Sequence, residues 1–131
     1  SVSLQKSSVW NELPAVRAVN PYAVQGRVSV CCPTHAGRHH LHEHLYHCFQ
    51  AQTWPDKELI VLDSGGFPSP FFTSPPFDPR VLYLHIGVYP FTLGDKRNQL
   101  ISLASGEIIA WFDDDNLYAP QYLVMMVSQL R

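Results

Sequence analysis

An α/β fold built on a mostly parallel sheet is what this sequence predicts, and three observations carry the prediction. Short continuous apolar runs at residues 28–32, 59–62, 81–84 and 107–112 read as strands covered on both faces. Segments with helical spacing separate them, which is the strand–helix–strand pattern of a parallel unit. Polar clusters rich in Asp, Gly, Thr and Asn follow three of the four runs, and in open parallel sheets ligands bind at those carboxyl ends.

Taken in order, residues 1–26 show no period and are interrupted by Pro14 and Pro21. They read as an irregular N-terminal arm with apolar anchors Trp10, Leu13 and Tyr22, tied down on its own domain or on a neighbour. The first strand is ended by Pro33. From about Arg38 to Gln52 the positions Leu41, Leu45, Cys48 and Phe49 repeat at helical spacing, and Trp54-Pro55-Asp56 stops the run. The second strand empties into Asp63-Ser64-Gly65-Gly66. Residues 67–79 are packed with Pro and Phe, so they form a loop or strap rather than a central strand. Its phenylalanines either pack on the domain, the preferred reading, or form an exposed contact patch. Asp95 reads as the N-cap of a helix to about Ser105 stopped by Gly106, and Pro120 opens a last helix.

Composition bounds the rest. A chain of 131 residues, 46% hydrophobic and 15% charged, is one folded domain. The net charge of −2 gives no basic footprint for nucleic acid, and no apolar stretch reaches the roughly 18 residues of a membrane span. Three cysteines, Cys31, Cys32 and Cys48, form no CxxC pair, which mildly favours a reducing compartment. The start at Ser1 leaves a processed leader or an upstream domain open.

Asp113-Asp114-Asp115 carries most of the chemical information. Three carboxylates stand where a buried strand surfaces, and Mg²⁺ or Mn²⁺ takes oxygen ligands while sharing its shell with substrate phosphates. A simple turn into water places Asp there too. In an extended strand Asp113 and Asp115 point one way and Asp114 the other. Lys96 and Arg97 fall in the first turn of their helix, where the dipole disfavours cations unless an anion such as a diphosphate compensates; solvated charges are the alternative. Asp63 could accept hydrogen bonds from a base or ribose, or be a turn residue. His35, His39, His40, His42, His44 and His47 crowd one segment. They fall largely opposite Leu41, Leu45 and Phe49, which reads as a solvated helix surface rather than a zinc stripe.

The run VSVCCPTHAGRHHLHEHLYHCFQAQTWPDKELIVLDSGG, followed by LGDKRNQLISLASGEIIAWFDDDNLYAPQYL, resembles the nucleotide-binding N-terminal half of family 2 glycosyltransferases. The resemblance covers about residues 27–131 apart from the 67–79 loop, and implies a GT-A, Rossmann-like three-layer sandwich truncated after the DXD region. It implies a nucleotide-diphosphate-sugar donor, often UDP-linked, and Mn²⁺ or Mg²⁺. Pro33 and Thr34 would line the nucleotide pocket, Asp63 would contact base or ribose, and Arg97, beside Lys96, would approach the phosphates. Asp115 would hold the metal, with Asp114 near the ribose and Asp113 in support or as a second ligand. Ser64 stands where the family commonly has a second acidic residue. The chain stops at Arg131, before the family's acceptor half and its general base, so a noncatalytic accessory or scaffold subunit is the alternative to an enzyme. Protein partners would then meet the arm and the 67–79 loop.

Overall fold

A computed structural model of the chain describes residues 13–88 and 92–131. In chain order its elements are β1 (Ala15–Arg17), β2 (Val24–Thr34), a 3₁₀ turn (Ala36–Leu41), α1 (His42–Gln50), β3 (Lys57–Asp63), β4 (Val81–His85), α2 (Leu93–Leu103), β5 (Gly106–Trp111) and α3 (Tyr122–Leu130). The five strands form one sheet in the order β1-β5-β2-β3-β4, with β1 antiparallel to β5 and every other pairing parallel.

Alternation along the strands sorts the core into two layers. Val28, Val30, Cys32, Leu59, Val61, Ile108 and Ala110 pack under α1 and α3, against Leu45, Cys48, Phe49, Leu123, Met126 and Val127. Cys31, Ile60, Leu62 and Ile109 face the other way, against Leu100 and Ala104 at the end of α2. Helices therefore cover both faces, which explains the unbroken apolar runs, and the architecture is the mostly parallel GT-A/Rossmann-like sandwich that the sequence predicts. All three cysteines are free and buried.

Several boundaries differ from the sequence reading, each for a local reason. Residues 15–17 of the expected irregular arm are a strand, because their backbone completes the edge of β5. Trp10 lies outside the described residues, whereas Tyr22 is 90% exposed and Leu13 39% exposed, so neither buries as an anchor. β2 runs on through Pro33 to Thr34. The Phe112 N–H donates to the Cys31 carbonyl at 3.0 Å, and the next donor on that side belongs to Pro33, which has none. The ladder to β5 opens there while pairing with β3 continues to Thr34 opposite Asp63. The α2 N-cap is Thr92 rather than Asp95: Thr92 Oγ1 accepts from the Asp95 N–H and Asp95 Oδ2 from the Thr92 N–H, both at 3.0 Å, a capping box. Its C-cap is Ala104, so Gly106 opens β5 instead of stopping the helix.

Gly106 is required there by a close approach. A Cβ at this position would lie 2.5 Å from the Arg27 carbonyl oxygen and 2.8 Å from Ser29 Oγ, which accepts the Gly106 N–H. Backbone cannot swing aside as a side-chain tip can. Gly106→Ala is expected to cost about 1–3 kcal/mol of stability, read as a lower urea midpoint at an unchanged m-value.

Candidate functional site

Because the β2–β5 ladder opens at Pro33, the aspartate triplet leaves the sheet beside the tips of β2 and β3. β5 ends at Trp111 and residues 114–115 form a turn, so the strand alternation expected for the triplet does not extend through it, and Asp114 and Asp115 converge on the same Arg38 nitrogen. Asp114 is buried at 4% exposure, while Asp113 and Asp115 are exposed.

Asp114 is enclosed by hydrogen bonds. Thr34 Oγ1 donates to its Oδ2 at 2.8 Å, and Arg38 donates to its Oδ1 from Nε at 3.0 Å and Nη2 at 2.8 Å. The same Nη2 reaches Asp115 Oδ2 at 2.9 Å. These carboxylates, Asp114 first, push the Arg38 guanidinium still further from losing its proton. Thr34 spends its hydroxyl proton on Asp114 and therefore accepts from His42 Nε2 at 3.0 Å. That leaves His42 Nδ1 to accept from Ser69 Oγ at 2.7 Å. The Ser69 N–H donates to Tyr83 Oη at 2.7 Å, and Tyr83 donates its proton to Asp63 Oδ2.

Asp63 closes the chain of contacts. It is fully buried; its Oδ1 accepts from the Gly65 N–H at 2.8 Å and its Oδ2 also accepts from His39 Nε2 at 2.7 Å. Burial opposes its charge, but the Tyr83, Gly65 and His39 donors outweigh burial and hold the carboxyl below its ordinary range. Burial, then the hydrogen bond to Asp63, raises the Tyr83 phenol, so it keeps its proton. The Asp63 carboxylate expected to meet a base or ribose is thus satisfied inside the protein and offers no exposed oxygen.

The other expected residues are nearby in differing states. Pro33 is half-buried beside Thr34. Lys96 Nζ donates to Ser64 Oγ at 3.1 Å, so this cation sits at the β3 tip and Ser64 is its acceptor. The Arg97 guanidinium lies over the Trp111 ring, 4.8 Å from its centroid. Asp113 Oδ2 accepts from Asn116 Nδ2 at 3.1 Å.

Arg38, His39, His42, Ser69 and Tyr83 are site residues that the sequence reading missed. The histidine segment is not a solvated surface throughout: His42 is fully buried and the His39 side chain is 8% exposed, whereas His35, His40 and His47 do face solvent. Residues 36–41 form a 3₁₀ turn, in which positions three apart eclipse, so the helical wheel drawn from Arg38 was out of phase. The available signal was His42 itself, which shares a face with Leu45 and Phe49 at helical spacing.

The fit of a divalent cation follows from these contacts. Among the described residues no group of three His, Cys, Asp or Glu side chains is gathered to hold a metal alone. Asp114 has no oxygen to spare. Asp115 does: its side chain is 49% exposed, it meets Arg38 through one oxygen only, and an exposed pair of this kind is worth little in water. Asp115 therefore has one oxygen that a cation taking its remaining ligands from phosphate and water could use, whereas Asp113 is engaged with Asn116.

Burial pulls the His42 imidazole down to about 4, helped by the neighbouring His39. The unfolded chain takes up this proton near the ordinary value of 6.5 and the folded chain resists it until about 4, so stability is full above the first pH and falls as pH drops towards the second. The loss is on the order of 2–3 kcal/mol. Urea midpoints at about pH 7.5 and about pH 4.5 should show that much less acid sensitivity in His42→Gln, whose amide keeps a donor and an acceptor without titrating.

The model for the family described as Glycosyl transferase family 2 matches residues 29–131, from within β2 through every later element. With most of its length covered, and with the four parallel strands β2 to β5 and their helices beneath the match, the chain belongs to glycosyl transferase family 2.

Proposed function

We propose that the chain binds a nucleoside-diphosphate sugar at the tips of β2, β3 and β5, as the donor-binding part of an inverting glycosyltransferase. One observation carries this reading: Asp114 is buried and locked by Thr34 and Arg38, while its neighbour Asp115 stands out in solvent with an oxygen to spare. A turn into water would need no such lock. The triplet then acts as the family's DXD region, with Asp115 as the first metal ligand and Asp113 as the second.

Each residue near the tips has a task under this reading. Arg38 keeps Nη1 uncommitted after bonding Asp114 and Asp115 and offers it to a phosphate oxygen. Lys96, in the first turn after the Thr92 cap, adds a point charge where the α2 dipole also favours an anion. Pro33 and Thr34, at the tip of β2, would lie beneath the nucleotide in this reading. A bound Mn²⁺ or Mg²⁺ would offset the charge gathering on the departing nucleoside diphosphate. A uridine nucleotide is the donor proposed.

The 67–79 loop favours a second reading, a noncatalytic subunit of a larger assembly. Phe72 packs into the core and Phe71 is half-buried, but Phe77 is 69% exposed and Phe67 55% exposed. The loop also walls a cavity of about 960 Å³ with Tyr46, Leu82 and Tyr83.

Calorimetric titration with UDP, with and without Mn²⁺, separates the two. The donor-site reading expects metal-dependent binding that Asp115→Ala weakens by about tenfold or more. Absence of UDP binding to a folded chain, together with purification in a fixed assembly, would favour the subunit instead.

A further inference from the structure

The sheet has two open edges, and the sequence treats them differently. At one edge β1 is three residues long, follows Pro14 and ends on Arg17. Short length, proline and charge are what keep an edge from pairing with another chain. At the other edge β4 runs for five residues, Val-Leu-Tyr-Leu-His, with no proline, no lysine and no shift of register.

The direction of its free backbone groups follows from the ladder. β4 lies parallel to β3, with Leu59 opposite Val81 and Asp63 opposite His85. The Leu59 N–H donates to the Arg80 carbonyl at 2.9 Å and the Ile86 N–H to the Asp63 carbonyl at 2.8 Å, so the even-numbered residues turn their backbone groups towards β3. Val81, Tyr83 and His85 turn theirs outwards. The Val81 N–H is taken by the Asp78 carbonyl at 3.0 Å. The Val81 carbonyl and the N–H and C=O groups of Tyr83 and His85 have no backbone partner among the described residues. The flanks of this row are apolar. Val81 and Tyr83 pack on the α1 face of the sheet, Leu84 and Ile86 on the α2 face. Leu82 goes with Leu84 by alternation and is 42% exposed. It also lines the cavity of about 960 Å³ beside the 67–79 loop, together with Tyr83, so that cavity reaches round to the edge itself.

We infer that β4 is the contact surface of a homodimer: two copies pair antiparallel along β4 about a two-fold axis, which continues the sheet from one copy into the other. The edge is its own complement. With the axis at Tyr83 or at Leu84, each Tyr83 and His85 N–H meets a carbonyl of the second copy. Leu82 then stands opposite Leu84 or Ile86 of that copy, in a pair whose backbones are not bonded to each other and whose side chains therefore come closest. Pairing uses up both β4 edges and leaves the blunted β1 edges outside, so growth stops at two copies. Because the strands run antiparallel, the strand tips of the two copies lie at opposite ends, and the inference does not depend on the donor-site reading. An edge about 17 Å long, with the cavity beside it, closes on the order of 1,000 Å² in total, at the low end for a specific complex. The dimer is accordingly reversible, with a dissociation constant on the order of 10 µM.

Sedimentation velocity of the 131-residue chain from about 1 to about 300 µM tests this, with amide hydrogen exchange read at both ends of the range. The wild type should pass from monomer to dimer, and the Tyr83 and His85 amides should exchange about fivefold more slowly at the upper end. Leu82→Lys puts a charge into the facing apolar pair and should weaken association about tenfold or more, with its urea midpoint little changed. Met125→Lys, a like change at a residue of α3 that is 52% exposed, should dimerise as the wild type does. Undiminished association of folded Leu82→Lys, an equal loss in Met125→Lys, or a dimer whose Tyr83 and His85 amides exchange as fast as the monomer's would each overturn the inference. So would a wild type that stays monomeric at about 300 µM, which would leave the edge to a different protein and the donor site untouched. Should Leu82→Lys not fold, the exchange rates of the wild type decide.

Discussion

A carboxylate taken out of water has to be met by donors on every side that faces protein, and Asp114 meets that demand by pulling together parts of the chain that are far apart in sequence. Thr34 lies at the end of the central strand, and Arg38 in the turn that follows it. Their bonds to Asp114 fix where β5 leaves the sheet, and hence where Asp113 and Asp115 emerge. The same Thr34 hydroxyl commits His42, which commits Ser69 of the Pro/Phe loop, and Tyr83 carries the connection on to Asp63. Removal of any member leaves a buried partner unsatisfied, so the chain of contacts stands or falls together.

This arrangement separates structure from ligand contact among like residues. Asp114 and Asp63 are carboxylates of the interior, each spent on neighbours. Asp115 is the carboxylate with capacity left over. His42 and His39 divide in the same way: the first has both nitrogens engaged, the second has one in hand. Under the donor-site reading, the groups that would meet a ligand are an Asp115 oxygen, Arg38 and Lys96.

Much of the fold was legible because it rests on short-range patterns. Apolar runs located β2, β3, β4 and β5, and Asp95 read as a cap located α2, although Thr92 and Asp95 divide the capping roles that Asp95 alone was given. β1 was not legible, since three residues show no period and their partner lies across the chain at β5. Of the site, the triplet, Thr34, Asp63 and Lys96 could be read from their places at strand and helix ends. Arg38 could not: a charge in a turn looks solvated until its carboxylate, 76 residues away, is known. His39 was hidden by the 3₁₀ turn, which rotates its side chain out of the α-helical phase, whereas His42 shares a face with Leu45 and Phe49 and could have been read. The Pro/Phe loop concealed Ser69, the single polar group in it that is fully buried.

The central claim is that the strand tips form one prepared site for a nucleoside diphosphate, with the Asp114 lock as its frame. Backbone ¹⁵N NMR during titration with UDP and Mg²⁺ tests it residue by residue. The account predicts that shifts concentrate at residues 34–39, 63–67 and 113–116, with the amides of β1 and α3 unmoved. Shifts that gather instead along the aromatic cavity of residues 70–83, or no shifts at saturating UDP, would contradict it.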